Sequence, residues 1–180
     1  FYPSIESFLD TSVKRAIDLS AENAGLEPQD LKLLKALFLI SGYVVLLMSS
    51  TYLAEGDYYE GEYSFLLVCS ILGMVVMASS RDLITIFIAL ETLSLPAYLL
   101  AGWRKRDLKS NEAALKYYLL GVVASTVMLY GMSLLYGISG ATELHAVAEG
   151  LNGKPIGIIA IFMVIVGFAV NFRWPLQLII

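Results

Sequence analysis

Five long runs of apolar residues constrain this chain more than any other feature. They extend approximately over residues 36–53, 63–80, 83–103, 112–136 and 156–180. An α-helix needs about 20 predominantly apolar residues to cross a hydrocarbon layer about 30 Å thick. Unpaired backbone groups are costly in lipid, and the runs lack the strict alternation of barrel strands, so each run is predicted to be a transmembrane helix. The predicted fold class is an all-α, multi-spanning transmembrane helix bundle.

The composition agrees with a lipid environment. Hydrophobic residues make up 58% of the chain and charged residues 16%, with a mean hydropathy of +0.72, whereas soluble domains are roughly 45–50% apolar and roughly 25% charged. The net charge of -4 and the lack of a long basic run exclude a nucleic-acid-binding protein. The single cysteine, Cys69, lies in an apolar run and has no partner for a disulfide or a metal site.

The polar and apolar stretches divide the chain into two predicted regions. Residues 1–35 are polar and are predicted to be an extramembrane segment, and residues 36–180 form the transmembrane helical domain. The N-terminus lacks a basic start followed by an apolar core, so no secretory signal is predicted and insertion is expected to rely on the internal spans.

Two ionisable residues, Glu91 and Lys116, lie within predicted spans. Translocon scales assign about 2.5–3.5 kcal/mol to placing such a group at a helix centre, so its presence indicates a function or a partner. Glu91 lies about 18 Å by helical rise from the end of its span at Trp103, near mid-membrane. A carboxyl there must be protonated, pair with a cation or face a hydrated cavity, and each state suits proton transfer. The alternative is a protonated carboxyl that only joins two helices.

Polar residues near Glu91 are predicted to form a notch in an otherwise apolar helix. Pro96 has no amide hydrogen, so the carbonyl of Thr92 loses its helical partner and a kink is expected beside the acid. Ser94 follows Glu91 by three residues and Tyr98 follows it by seven, so both share its helix face. Their hydroxyls are expected to hold water near the carboxyl. Proline kinks also occur in ordinary membrane helices.

The spacing around Lys116 leaves two interpretations open. Ser110 is a candidate helix cap, and Lys116 then lies about 7–8 Å into the helix. Glu112 precedes Lys116 by four residues, which favours a surface pair, or the lysine extends to the interface. In a hairpin of the third and fourth spans, Lys116 and Glu91 would instead approach each other with about 10 Å of depth difference, which suits a water-bridged pair.

The remaining polar residues give weaker signals. Gly121 and Ser125 have the small-xxx-small spacing that favours close packing on a neighbouring helix. The lone His145 is predicted to be solvated, with no second ligand at metal spacing. The chain contains no phosphate-binding loop and no cysteine motif for an iron–sulfur cluster, so no cofactor and no metal are expected within it.

Two sequence blocks carry a family resemblance. The first, ETLSLP, contains Glu91 and Pro96, and the second, NEAALKYYLLG, contains Lys116. With the surrounding residues from about 42 to 169 they closely resemble membrane subunit 2, called subunit N in bacteria, of the proton-pumping NADH:quinone oxidoreductase, respiratory complex I. The resemblance implies that Glu91 is the family's essential glutamate and that Lys116 is its lysine near the start of the next helix.

The resemblance also implies an activity and partners. Antiporter-like subunits of this family move protons through buried carboxylates, lysines and waters, coupled to quinone reduction in a neighbouring arm. The expected function is proton translocation as a subunit of an NADH:quinone oxidoreductase, without a redox centre in this chain. Quinone, NADH, FMN and iron–sulfur clusters are expected in partner subunits, with other antiporter-like subunits as neighbours. The expected location is the bacterial plasma membrane, or else an organellar inner or thylakoid membrane.

The chain departs from the family pattern in two respects. Family members have many more helices and several hundred residues, so a chain of five predicted spans is expected to be part of a longer protein. A later family helix carries a central lysine, and Asn171 stands at that position here. Arg173 follows two residues later as a candidate replacement for the missing cation.

Other functions are compatible with the same residues. The equivalent subunit of a ferredoxin-dependent photosynthetic complex and a subunit of a multi-subunit cation/proton antiporter share the resemblance. A structural membrane scaffold, in which Glu91 and Lys116 only join helices, is the alternative from a different class. Pumping assays on variants of these two residues distinguish transport from scaffolding.

The distribution of cations predicts the orientation in the membrane. The loop between the third and fourth spans contains Arg104, Lys105, Arg106 and Lys109. The positive-inside rule places this loop on the cytoplasmic, matrix or stromal side, with residues 1–35 and 137–154 on the other. A cysteine introduced at Ser110 should therefore react with an impermeant thiol reagent from the inner side. Labelling from the outer side alone would contradict this topology.

Overall fold

The architecture is an all-helical bundle, as predicted. The computed structural model describes residues 28–55, 60–104, 106–151 and 155–177. Within these ranges the helices are α1 (Pro28–Glu55), α2 (Glu60–Ser79), α3 (Leu83–Ala101), α4 (Leu108–Ser139), α5 (Leu144–Gly150) and α6 (Pro155–Gln177). Helices α1 to α4 are long and apolar enough to cross a membrane, and the apolar part of α6, residues 155–171, is shorter.

Helix α1 begins earlier than the first predicted span. Its first residue is Pro28, so the last residues of the segment 1–35 are helical. Proline suits the first turn of a helix, because the amide hydrogen that it lacks would have no partner there. Residues 1–27 lie outside the described residues, and the prediction for that part of the segment stays a prediction.

Helix α4 is the central element, because it packs against α3, α5 and, most extensively, α6. A Cβ atom at Gly167 of α6 would lie 2.6 Å from the Cβ of Met128 and 2.7 Å from the carbonyl oxygen of Ala124. Gly131 of α4 approaches the carbonyl oxygen of Ala160 in the same way. Lipid is as apolar as the helix surfaces, so the association of α4 with α6 relies on this close packing of small residues.

The start of α3 is fixed by Asp82. Its carboxylate accepts hydrogen bonds from the amides of Ile84 at 2.9 Å and Thr85 at 3.1 Å, which are among the unpaired donors of the first helical turn. A hydrogen bond with the side chain of Thr142, in the loop before α5, is the main cause that lowers the pKa of the Asp82 carboxyl below its ordinary value. One carboxylate thus caps a helix and connects the α2–α3 turn to a distant loop.

The short helix α5 lies in the region 137–154, which the sequence predicts to be a polar loop. The amide of Leu144 donates to the carbonyl of Arg81 at 2.8 Å, and Val147 is buried in the main apolar cluster. Both are contacts with distant parts of the chain. A helix of seven residues has too few positions to show a periodic pattern, so its local sequence gives no signal for it.

The cap of α4 differs from the predicted one. Asp107 is the capping residue, and its carboxylate accepts from the amide of Lys109 at 3.0 Å. The predicted cap, Ser110, instead donates its hydroxyl to the carbonyl of Ala101 at 3.0 Å and ties the start of α4 to the end of α3. The prediction of Ser110 was wrong because Asp and Ser are about equally good caps, and the local sequence offers both.

Much of the apolar surface of the long helices is exposed in the described chain. Large exposed side chains include those of Leu33, Met48, Phe65, Val123 and Phe162. Soluble monomers rarely expose contiguous apolar patches of more than a few hundred Å². This surface is the one that an integral membrane protein presents to lipid.

The close approach of α4 and α6 predicts the effect of adding one methyl group. Gly167→Ala would press against Met128 and the backbone at Ala124, and should lower stability by about 1–3 kcal/mol, the usual cost of overpacking. Gly137→Ala is the matched control, because a Cβ there meets nothing within 4 Å. It should be neutral or stabilising, since alanine exceeds glycine by about 1 kcal/mol in a helix.

The measurement is the midpoint of thermal unfolding of the full-length protein in detergent. Equal midpoints for the Gly167→Ala and Gly137→Ala variants would contradict the close helix approach.

Candidate functional site

Glu91 occupies the middle of α3. It lies eight residues after the first residue of the helix and ten before the last, which corresponds to about 12 Å and about 15 Å of helical rise. Its Oε1 atom is buried and has no hydrogen-bond partner among the described residues. Buried side-chain oxygens usually have a partner, so an exception of this kind requires a functional or structural explanation.

A chain of polar side chains begins on the face of α3 that carries Glu91. Ser94 hydrogen-bonds to the Tyr98 side chain, and Glu91 lies close enough to Tyr98 to interact with it electrostatically. The Tyr98 hydroxyl donates to Oδ1 of Asn171 on α6 at 3.1 Å. The Nδ2 of Asn171 then donates to the hydroxyl oxygen of Ser125 on α4 at 3.4 Å. We call Ser94, Tyr98, Asn171 and Ser125 the polar chain, since together they connect α3, α6 and α4.

The position of the Tyr98 ring is fixed by α4. The ring meets Tyr117 edge-on, with centroids 4.6 Å apart and planes at 89°, and meets Tyr118 at 5.9 Å. Gly121 leaves the space for the Tyr98 hydroxyl, because a Cβ atom at Gly121 would collide with it. The sequence predicts close packing at Gly121, and the structure gives the contact: the side chain of Tyr98.

Of the residues predicted to form a notch near Glu91, Ser94 and Tyr98 belong to the polar chain, whereas Thr92 does not. Helix α3 continues through Pro96. The hydroxyl of Thr92 donates to the carbonyl of Ile88 within its own helix at 2.7 Å. Ser70 of α2 donates to the carbonyl of Leu93 at 3.1 Å. A neighbouring helix therefore donates to a carbonyl close to the proline, whereas the carbonyl that the proline leaves without its helical partner is that of Thr92.

Lys116 is paired with Glu112. Its Nζ atom forms an ion pair with Oε1 of Glu112, and the two side chains are 61% and 64% exposed. Helix α4 contains 32 residues and is therefore about 48 Å long, against about 30 Å for a hydrocarbon core. Lys116 follows Leu108 by eight residues, or about 12 Å of rise, which places it near the border of the core when the helix is centred. The structure thus brings Ser94 and Tyr98 to the helix face of Glu91, but not Lys116.

Asn171 and Ser125 are the members of the site that sequence reasoning did not assign to it. The helical spacing indicated Ser94 and Tyr98, whereas Asn171 stood out only as a departure from the family pattern. Asn171 is 73 residues from Tyr98 and 46 residues from Ser125. No local pattern predicts contacts over such separations.

Metal binding has no support in the part of the chain that the structure describes. Among those residues, no group of three or more His, Cys, Asp or Glu is placed to hold an ion. His145 is exposed, as predicted, and its Nδ1 lies 3.5 Å from Oε1 of Glu149.

The fold and the site define a class of protein: a polytopic membrane protein with a buried carboxyl oxygen and a polar chain inside a helix bundle. Residues 80–178, more than half of the chain, match the family described as NADH:quinone oxidoreductase/Mrp antiporter, TM. The chain belongs to this family.

Sequence comparison with individual relatives gives the same family. The chain is 42% identical over 139 residues to NAD(P)H-quinone oxidoreductase subunit 2 of Synechococcus sp. (strain WH7803), covering 77% of this chain and 27% of the relative. It is 39% identical over 136 residues to NADH-quinone oxidoreductase subunit N of Desulfitobacterium hafniense (strain DSM 10664 / DCB-2), covering 74% of this chain and 27% of the relative. These matches confirm the predicted resemblance, and the chain spans about a quarter of the length of these relatives.

The helix arrangement also resembles a solved structure. A chain of respiratory complex I from Thermus thermophilus with bound aureothin superposes with a TM-score of 0.55 at 29% sequence identity, covering 91% of this chain and 44% of that chain. The similarity in fold therefore extends beyond the residues matched by the family description.

Proposed function

We propose that the protein is an antiporter-like membrane subunit of an NADH:quinone or NAD(P)H:quinone oxidoreductase and translocates protons coupled to quinone reduction. The buried, unpartnered Oε1 of Glu91 is the observation that carries the proposal. The names of the relatives support the quinone reaction. In this proposal the redox chemistry belongs to the complex as a whole, and this chain contributes proton transfer.

The chemistry of a carboxyl at this depth supports the proposal. An ionised carboxylate that is buried without a partner costs several kcal/mol, whereas the neutral acid costs much less. Loss of the Glu91 proton therefore requires a cation, a hydrogen-bond donor or water to be present at that moment. A site that can ionise only when a partner arrives couples proton release to an event elsewhere in the complex, which is what a pump requires.

The partners follow from the same proposal. NADH, FMN, the iron–sulfur clusters and the quinone site are assigned to other subunits, and further antiporter-like subunits are assigned as membrane neighbours. The proposed location is a bacterial membrane, with the plasma membrane as the first choice. The similarity to cyanobacterial NAD(P)H-quinone oxidoreductase subunit 2 favours a second candidate, the corresponding subunit of a photosynthetic complex.

The role of Lys116 in the proposal depends on its leaving Glu112. An exposed i,i+4 pair contributes little to helix stability because solvent screens it, so the ion pair with Glu112 is weak and can exchange for another partner. A lysine near the border of the membrane core is also placed to pass charge between water and the interior. We therefore assign Lys116 as the second ionisable group of the pump, acting with Glu91.

Replacing Glu91 is the direct test of the proposed function. Glu91→Ala, and to a lesser degree Glu91→Gln, should reduce quinone-linked proton pumping by about tenfold or more, within the range that positioned proton-transfer groups contribute. The matched control is Glu149→Gln, which neutralises an exposed glutamate on α5 and should pump normally.

The measurement is acidification of membrane vesicles that contain equal amounts of the assembled complex. Wild-type pumping by an assembled Glu91→Gln complex would restore the scaffold interpretation.

A second test separates the two interpretations of Lys116. If the lysine belongs to the pump, Lys116→Ala should impair pumping and Glu112→Gln should not. Lys116→Arg should recover part of the activity, because arginine keeps the charge but does not release its proton. Pumping rates of the three variants in the same vesicles are compared. Small and equal effects for all three would leave Lys116 as the partner of Glu112 in a surface pair.

A further inference from the structure

The polar chain contains a neutral amide at the position where the family pattern predicts a cation. The side chains of Tyr98, Asn171 and Ser125 are only 4%, 8% and 7% exposed, although they come from three different helices. Each link is a hydrogen bond between side chains, which is the less common kind in proteins. Buried polar links of this kind fix a unique arrangement when they are satisfied.

The amide can make both hydrogen bonds at this position, whereas a lysine could not. The carboxamide of Asn171 accepts from Tyr98 through Oδ1 and donates to Ser125 through Nδ2. A lysine ammonium has three donors and no acceptor, so it could not receive the Tyr98 hydrogen. With Asn171 in place, the Tyr98 hydroxyl can direct its hydrogen towards α6.

Glu91 is the ionisable group on the helix face that carries Tyr98. It lies on the same face of α3, and its charge interacts with Tyr98. A negative charge on Glu91 favours a hydroxyl hydrogen that points towards α3, where Ser94 is a hydrogen-bond partner of Tyr98. That orientation competes with donation to Asn171. The other titratable side chains against the ring are the phenols of Tyr117 and Tyr118.

We infer that Tyr98 is a positioning residue of the Glu91 site: its hydroxyl donates to Asn171 when Glu91 is protonated and turns towards α3 when Glu91 is ionised. The proton state of Glu91 on α3 is thereby transmitted to α6 and, through Ser125, to α4. Only the orientation of the Tyr98 hydroxyl changes, and the Asn171 amide neither gains nor loses a proton. The inference rests on the proposed function of Glu91 and extends it by naming the residues that respond to it.

The test uses Tyr98→Phe in the assembled complex with the full-length subunit. The phenyl ring keeps the edge-on contact with Tyr117, and only the hydroxyl, which occupies the space beside Gly121, is lost. Protons pumped per electron pair should fall, because the contribution of this subunit to pumping is weakened while quinone reduction by the complex continues. Tyr118→Phe is the matched control. It removes a hydroxyl from a more exposed tyrosine beside the same ring and should keep the wild-type ratio.

A double variant tests whether the effect of Tyr98 on pumping depends on Asn171. If Tyr98 acts through Asn171, then Asn171→Leu should lower the pumping ratio by a similar factor, and the Tyr98→Phe/Asn171→Leu double variant should be no worse than either single one. Effects of the two substitutions that multiply would overturn the inference. A Tyr98→Phe complex that pumps like Tyr118→Phe, or that fails to assemble, would overturn it as well.

Glu91→Gln in the same vesicles separates this inference from the proposed function. Normal pumping by Glu91→Gln would remove the proposed function and this inference with it. Loss of pumping in Glu91→Gln together with normal pumping in Tyr98→Phe would remove the inference about Tyr98 alone.

Discussion

In a membrane bundle, each polar group must find its partner within the protein, and the rest of this structure depends on how that requirement is met. Many serine and threonine hydroxyls of the long helices meet it locally, by donating to a carbonyl three or four residues earlier; examples are Ser41, Ser49, Ser79, Thr92, Thr126 and Ser133. A hydroxyl that donates in this way cannot at the same time donate to another helix. The hydrogen bonds that do cross between helices, from Ser70 to Leu93, from Ser110 to Ala101 and along the polar chain, therefore join helix faces that small residues bring together.

The parts of the fold that could be predicted from the sequence are those that depend only on residues close together along the chain. A run of about 20 apolar residues specifies a spanning helix by its length alone. Each predicted run contains a helix among the described residues, although the apolar part of the last helix, residues 155–171, is shorter than the other four spans. The choice between Asp107 and Ser110 as the cap of α4, and the presence of α5, depend on contacts with Ala101 and Arg81. Such contacts form only after distant elements have packed, so local sequence does not reveal them.

The candidate site also has one part that the sequence predicts and another part that it does not. The depth of Glu91 and its shared face with Ser94 and Tyr98 follow from the helical period, and the structure retains both. The contact with Asn171 required α6 to approach α4 closely, and that approach depends on Gly167 and Ala160 rather than on any polar residue. Small residues therefore decide which polar residues meet, although they contribute no chemistry themselves.

The two ionisable residues differ in a way that their positions explain. Lys116 and Glu112 lie on one exposed face, where two opposite charges four residues apart pair at little cost or benefit. Glu91 lies in the middle of its helix, where its buried Oε1 has no hydrogen-bond partner among the described residues and the polar side chains nearest along the same face, Ser94 and Tyr98, carry neutral hydroxyls. Dipoles can reorient when a proton leaves, whereas a permanent ion pair would hold the carboxylate in one state. The polar chain that begins beside Glu91 consists of three hydroxyls and the Asn171 amide, so it can respond to a change at Glu91 by the reorientation of dipoles alone.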